Sequence, residues 1–121
     1  MLSFGADTAG EQTGLLYYAL WDPALGTGPE SHLVMDNVTA TDTFCAGQAL
    51  LANGNALLVG GDLTFEGQRN FGVADVNVFT PGDNQLTRQA QSMAYPRWYG
   101  TIVTNAQGEQ VVMGGRMDKS M

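Results

Sequence analysis

Short apolar stretches separated by turn-forming residues run through the second half of this sequence. Residues 44–51 and 56–59 are apolar, and Gly54-Asn55 between them is typical of a tight turn, so the two stretches predict a β-hairpin. Residues 76–79 predict a third strand, and residues 85–88 predict a shorter outer strand. The pattern therefore predicts a unit of four strands.

Helical periodicity is missing from the whole sequence, since no window keeps it over the length that a stable helix needs. The segment 64–72, which is rich in Gly, Gln and Asn, predicts a long loop between the second and third strands. The predicted fold class is therefore all-β, with the strands joined by turns and loops.

The strand pattern is repeated along the chain. Cys45 stands 15 residues before the first glycine of Gly60-Gly61, and Tyr99 stands 15 residues before the first glycine of Gly114-Gly115. The two copies are 54 residues apart, and residues 1–7 match the strand and glycine of the first copy with an offset of 55. If adjacent copies pack side by side in this register, the Cys45 thiol and the Tyr99 phenol become neighbours.

A period near 50 residues, with a glycine pair that closes an apolar strand, is typical of the kelch blades of a β-propeller. On this basis residues 1–42 are the tail of one blade, residues 43–92 are a complete blade, and residues 93–121 are the first hairpin of the next blade. A propeller needs about four to eight blades to close. We therefore expect a partial β-propeller of about two four-stranded antiparallel blades, which pack against the remaining blades of a longer parent chain.

Charge and composition exclude several classes of function. The chain has 5 Lys and Arg against 12 Asp and Glu, a formal net charge of −7, so it lacks the basic face that a nucleic-acid partner requires. No apolar stretch is long enough to span a membrane. The low charged fraction of 14%, with abundant Gly, Asn and Thr, favours a secreted protein. The single cysteine excludes an internal disulfide.

Two short motifs carry a more specific signal. Residues 43–47 (Thr-Phe-Cys-Ala-Gly) and 97–101 (Arg-Trp-Tyr-Gly-Thr) resemble the galactose oxidase and glyoxal oxidase family, the copper radical oxidases. The resemblance covers essentially the whole chain, as a piece of the seven-bladed kelch domain of those enzymes. It implies that the Cys45 sulfur is bonded to a ring carbon of Tyr99, and that the Tyr99 oxygen is a copper ligand and the ring is the radical site. The parent enzyme would then oxidise small alcohols, aldehydes or carbohydrates with dioxygen and release hydrogen peroxide.

The chain departs from the family's pattern at several positions. The family takes a second tyrosine and two histidines from later blades as copper ligands, so the 121 residues alone are expected to be inactive. The single histidine, His32, matches none of these ligands. Gln48 stands where relatives often have histidine, Gly100 where many have proline, and Arg116-Met117 where galactose oxidase has a stacking tryptophan.

A second interpretation requires no chemistry. Free cysteine is among the most buried residue types, so Cys45 on its own fits an inert core position, and Tyr99 on its own fits an aromatic residue whose hydroxyl is satisfied. The alternative function is a non-catalytic kelch propeller that binds carbohydrate or protein through its loops. Strand alternation predicts that Trp98 points away from Tyr99 and packs between sheets.

Overall fold

The computed structural model describes residues 1–65 and 67–117, and within these ranges the chain is built from short antiparallel strands. The strands are β1 (Leu2–Phe4), β2 (Tyr17–Trp21), β3 (His32–Asp36), β4 (Gly47–Leu50), β5 (Ala56–Val59), β6 (Asp62–Phe65), β7 (Gln68–Gly72), β8 (Val76–Thr80), β9 (Gln85–Arg88), β10 (Trp98–Thr104) and β11 (Gln110–Arg116). Among the described residues the helices are two single 3₁₀ turns, Pro23–Leu25 and Pro29–Ser31, which are far too short to cross a lipid bilayer. The all-β prediction is confirmed.

The strands form four separate sheets. Their orders are β1-β2-β3, β4-β5-β8-β9, β6-β7 and β10-β11, and each neighbouring pair is antiparallel. The four-stranded sheet lies inside the segment 43–92 that the repeat assigns to a complete blade. None of the sheets closes on itself within the described residues, so the propeller and its blade boundaries stay predictions.

The hairpin predicted from the turn at Gly54-Asn55 is present as β4 and β5, in which Gly47 pairs with Val59 and Leu50 with Ala56. The third and fourth predicted strands are β8 and β9. Apolar stretches and a turn signal were sufficient to predict these strands, because consecutive residues of β5, Leu57, Leu58 and Val59, are all buried.

The prediction of a long loop at residues 64–72 is wrong, because the structure has a second hairpin there, β6 and β7. Leu63 and Phe71 pair across this hairpin, but the Gly, Gln and Asn residues of the segment favour a loop prediction, and polar contacts add to its stability. The buried Asp62 carboxylate accepts a hydrogen bond from the Asn70 backbone N–H at 2.6 Å and forms an ion pair with Arg69 at 3.2 Å. Arg69 also reaches Asp42, at 2.9 Å, and thereby ties the hairpin to the segment that precedes Cys45.

Replacing Arg69 with glutamine tests whether this ion cluster stabilises the fold. Arg69→Gln leaves the buried Asp62 carboxylate without its cation, and we expect the free energy of unfolding to fall by about 1 to 3 kcal/mol. Arg88→Gln is the matched control, because Arg88 is more exposed than Arg69 and pairs with one carboxylate, Asp75, which is less buried than Asp62; exposed pairs contribute up to about 1 kcal/mol. Urea denaturation measures both variants, and equal losses would contradict a special role for Arg69.

The main core lies between the first sheet and the four-stranded sheet. Its buried members are Tyr18, Leu58, Phe79 and Leu86, and partly buried side chains of the first sheet, such as Leu2 and Leu20, pack against them. The Tyr18 hydroxyl donates a hydrogen bond to the Asn84 carbonyl at 2.7 Å and accepts one from the Leu86 N–H at 3.3 Å. Tyr18 therefore joins the two sheets through both its ring and its hydroxyl.

Candidate active site

The structure brings Cys45 and Tyr99 together. Cys45 lies in the turn that leads into β4, and Tyr99 is the second residue of β10. The Tyr99 backbone N–H donates a hydrogen bond to the Cys45 carbonyl oxygen at 3.1 Å. Two residues that lie 54 positions apart in sequence are thus in direct backbone contact, as the matched register of the two copies predicts.

Both residues have the same unusual backbone conformation. Cys45 and Tyr99 each have a φ of 59°, in the left-handed region. A residue with a side chain pays about 1 to 2 kcal/mol there, and bulky residues such as tyrosine rarely adopt it. Conformations of this kind persist only where the surrounding structure holds them, and they cluster at functional sites. The equivalence of the two positions therefore extends from sequence register to backbone geometry.

The turn around Cys45 is held by the residues before it. The Asp42 carboxylate accepts a hydrogen bond from the Phe44 N–H at 3.0 Å, and the Ala46 N–H donates to the Thr43 carbonyl at 3.1 Å. Burial raises the pKa of Asp42 above its ordinary value, while the Phe44 N–H and the charge of Arg69 act in the opposite direction. Asp42 is therefore a positioning residue, and the only sequence signal for it is the common turn pattern of an Asp two residues before a bonded N–H.

Glycine allows the two segments to approach each other. A Cβ atom on Gly47 would lie 2.6 Å from the carbonyl oxygen of Gly100, closer than any ordinary contact. These glycines follow Cys45 by two residues and Tyr99 by one residue, so the starts of β4 and β10 meet at this point. A side chain at Gly47 would therefore push these two strand starts apart and separate Cys45 from Tyr99.

The two side chains also interact. Burial raises the pKa of the Cys45 thiol above its ordinary value, and a hydrogen bond with the Tyr99 hydroxyl opposes that rise. The same hydrogen bond is the main cause that raises the pKa of Tyr99, because a hydroxyl that donates to sulfur retains its proton. Without any bound metal, thiol and phenol therefore both remain protonated near neutral pH.

Tyr99 is open to solvent, whereas its neighbour Trp98 is buried. The exposed fraction is 63% for Tyr99 and 9% for Trp98. The prediction that alternation turns Trp98 away from Tyr99 is wrong, since the two ring centroids are 4.5 Å apart with an edge-to-face angle of 72°. The left-handed φ of Tyr99 interrupts the alternation of an extended strand and explains this contact.

The donor atoms at this site are few. In the part of the chain that the structure describes, no three His, Cys, Asp or Glu side chains are grouped as a metal site would need. His32 lies at the start of β3, where its ring stacks on Trp21 at 6.4 Å, and it does not join Cys45 and Tyr99. The chemistry of the site therefore rests on one exposed phenol and one adjacent thiol.

No protein-family model matches this chain, and no curated protein sequence matches it. Among solved structures, the chain is similar to a fungal alcohol oxidase of the AA5 family in complex with copper, a protein described as showing catalytic diversity within that family. The TM-score is 0.61 and the sequence identity is 24%. The superposition covers 95% of this chain and 22% of the oxidase chain, so the chain shares the fold of about that fraction of the oxidase.

Proposed function

We propose that this chain is a kelch-propeller segment of a secreted copper radical oxidase, which oxidises primary alcohols or aldehydes with dioxygen and releases hydrogen peroxide. The observation that carries this proposal is the contact of Cys45 and Tyr99 at matched left-handed positions of two repeats. The fold shared with an AA5 alcohol oxidase supports it. Cys45 and Tyr99 form the thioether cofactor, and Tyr99 is the copper ligand.

Tyr99 has the properties that such a ligand requires. A phenolate oxygen is a donor that Cu(II) accepts, and the exposure of Tyr99 leaves its oxygen accessible to a metal and to substrate. Copper would supply a centre that exchanges one electron, beside a tyrosine ring that exchanges the second. The other ligands belong to parts of the parent chain outside these 121 residues, so the segment alone is inactive under this proposal.

Formation of the thioether from the Cys45 thiol and the Tyr99 ring is a two-electron oxidation. A bond forms between the Cys45 sulfur and a ring carbon of Tyr99, while the S–H bond and one ring C–H bond break. The two protons and two electrons that are released pass to dioxygen, which becomes hydrogen peroxide. The raised pKa of Cys45 keeps the proton on sulfur before this reaction. The contact with Tyr99 supplies the proximity that the bond formation needs.

A mass measurement tests the cofactor directly. The full-length protein that contains this chain is produced without copper and then incubated with Cu(II) and oxygen. We expect its intact mass to fall by two hydrogen atoms, and we expect a protease digest to contain one peptide that joins Cys45 to Tyr99. Cys45→Ala provides the control, because it removes the sulfur and leaves the mass unchanged on incubation.

An unchanged wild-type mass after copper has bound would refute the thioether. A full-length protein that does not bind copper and does not oxidise alcohols or aldehydes, but binds a carbohydrate or a protein, would support the non-catalytic propeller instead.

A further inference from the structure

Arg116 is a cation that no described residue neutralises. Arg69 pairs with Asp42 at 2.9 Å, and Arg88 pairs with Asp75 at 2.5 Å. The guanidinium of Arg116, at the end of β11, forms neither an ion pair nor a hydrogen bond with the residues in 1–65 and 67–117. In a chain with a net charge of −7, a guanidinium that no described residue pairs with is a candidate binding group for an anion.

Aromatic stacking fixes the position of Arg116. Its guanidinium carbon lies 4.3 Å from the centroid of the Trp98 ring, and the two residues are paired across β10 and β11. One flat face of the guanidinium stacks on the indole ring, whereas its N–H groups lie at the edge of the plane and remain available to an acceptor. Because Trp98 is buried, its ring is a rigid support for the cation.

The same tryptophan contacts the reactive phenol. The Trp98 and Tyr99 ring centroids are 4.5 Å apart, so Trp98 touches the cation and the phenol at once. Arg116 and Tyr99 are therefore both held against the same buried indole ring.

We propose that Arg116 binds the carboxylate of an anionic substrate and gives this site a preference for short primary alcohols or aldehydes that carry a carboxylate. The inference rests on the proposed function, because it places the reacting carbon at Tyr99. A planar guanidinium binds a carboxylate through two parallel hydrogen bonds, which would orient the remainder of a short molecule towards the phenol. Arg116 is thus a specificity-determining residue.

Two small molecules that differ in charge test this preference. Glycolate and ethylene glycol both present a primary alcohol, and glycolate alone carries a carboxylate. We expect the copper-free full-length protein to bind glycolate at least about 10-fold more tightly than ethylene glycol in isothermal titration calorimetry, as a charge-assisted hydrogen bond implies. Omitting copper removes direct coordination of the carboxylate by the metal as a source of binding.

The variant Arg116→Gln should abolish this difference. We expect its affinity for glycolate to fall about 10- to 100-fold and its affinity for ethylene glycol to stay within about twofold. Arg88→Gln is the matched control, since it removes an arginine that is already paired with Asp75, and we expect it to keep the wild-type preference. In the copper-loaded protein, Arg116→Gln should lower kcat/KM for glycolate and leave kcat/KM for ethylene glycol within about twofold.

Three results would overturn the inference: equal wild-type affinity for the two molecules, equal losses for both molecules in Arg116→Gln, or a loss of preference in Arg88→Gln. Failure of the proposed function is a separate result, because it appears as the absence of the Cys45–Tyr99 cross-link. The calorimetric comparison on copper-free protein does not depend on that cross-link.

Discussion

Tyr99→Phe removes a single oxygen atom, and we expect it to lower kcat of the full-length protein by more than about 100-fold. Under the proposed function Tyr99 is itself a copper ligand, and since loss of a residue that only supports a metal ligand costs about 10- to 100-fold in affinity or activity, its loss should cost more. The phenylalanine ring also lacks the hydroxyl that makes the ring easy to oxidise. The variant should therefore show neither turnover nor the mass change on incubation with copper and oxygen.

Tyr95→Phe is the matched control for this experiment. Tyr95 is exposed to nearly the same fraction as Tyr99, 62% against 63%, and lies four residues earlier in the chain. We expect it to keep full activity, copper content and mass change. Circular dichroism shows whether both variants remain folded. Oxidase activity that persists in folded Tyr99→Phe would contradict the ligand role, and an equal loss in Tyr95→Phe would show that the effect is unspecific.

The sequence predicts the contact of Cys45 and Tyr99 because the contact depends on register alone. Equal offsets from Gly60-Gly61 and Gly114-Gly115 place the two residues at equivalent points of neighbouring units, whatever the side chains do. The β4–β5 hairpin is predictable for a related reason, since its turn at Gly54 has a local chemical signature. Features that follow from local pattern or from repetition can therefore be predicted from the amino-acid sequence.

Features that depend on long-range polar contacts cannot be predicted in this way. Arg69 joins the β6–β7 hairpin to Asp42, which lies 27 residues earlier, and nothing in an apolar pattern identifies that partner. The contact of Trp98 with Tyr99 requires a left-handed φ that strand alternation does not anticipate. These deviations from regular strand geometry lie at or beside the candidate site, which is where conflicts between local preference and fold are expected.

The glycine pair that reveals the repeat also supports the site. Gly60 has a φ of 72°, and a Cβ atom there would collide with the carbonyl oxygen of Arg97. The same carbonyl accepts a hydrogen bond from the Gly61 N–H at 3.2 Å, and Arg97 donates its own N–H to the Val73 carbonyl at 2.9 Å. The backbone at Arg97, two residues before Tyr99, therefore packs directly against Gly60. Any larger residue in place of Gly60 must displace Arg97.

Gly60→Ala should consequently lower the free energy of unfolding by about 2 to 4 kcal/mol, of which about 1 kcal/mol comes from the left-handed backbone and the rest from the collision. Gly54→Ala separates the two contributions, because Gly54 has a similar φ of 86° with nothing within 4 Å of its Cβ position, and we expect it to cost about 1 kcal/mol. Urea denaturation measures both losses.

Since displacement of Arg97 would also move Tyr99 away from Cys45, Gly60→Ala in the full-length protein should reduce the yield of the cross-linked peptide, whereas Gly54→Ala should not. Equal unfolding free energies for the two variants would show that the close approach to Arg97 contributes nothing to the fold.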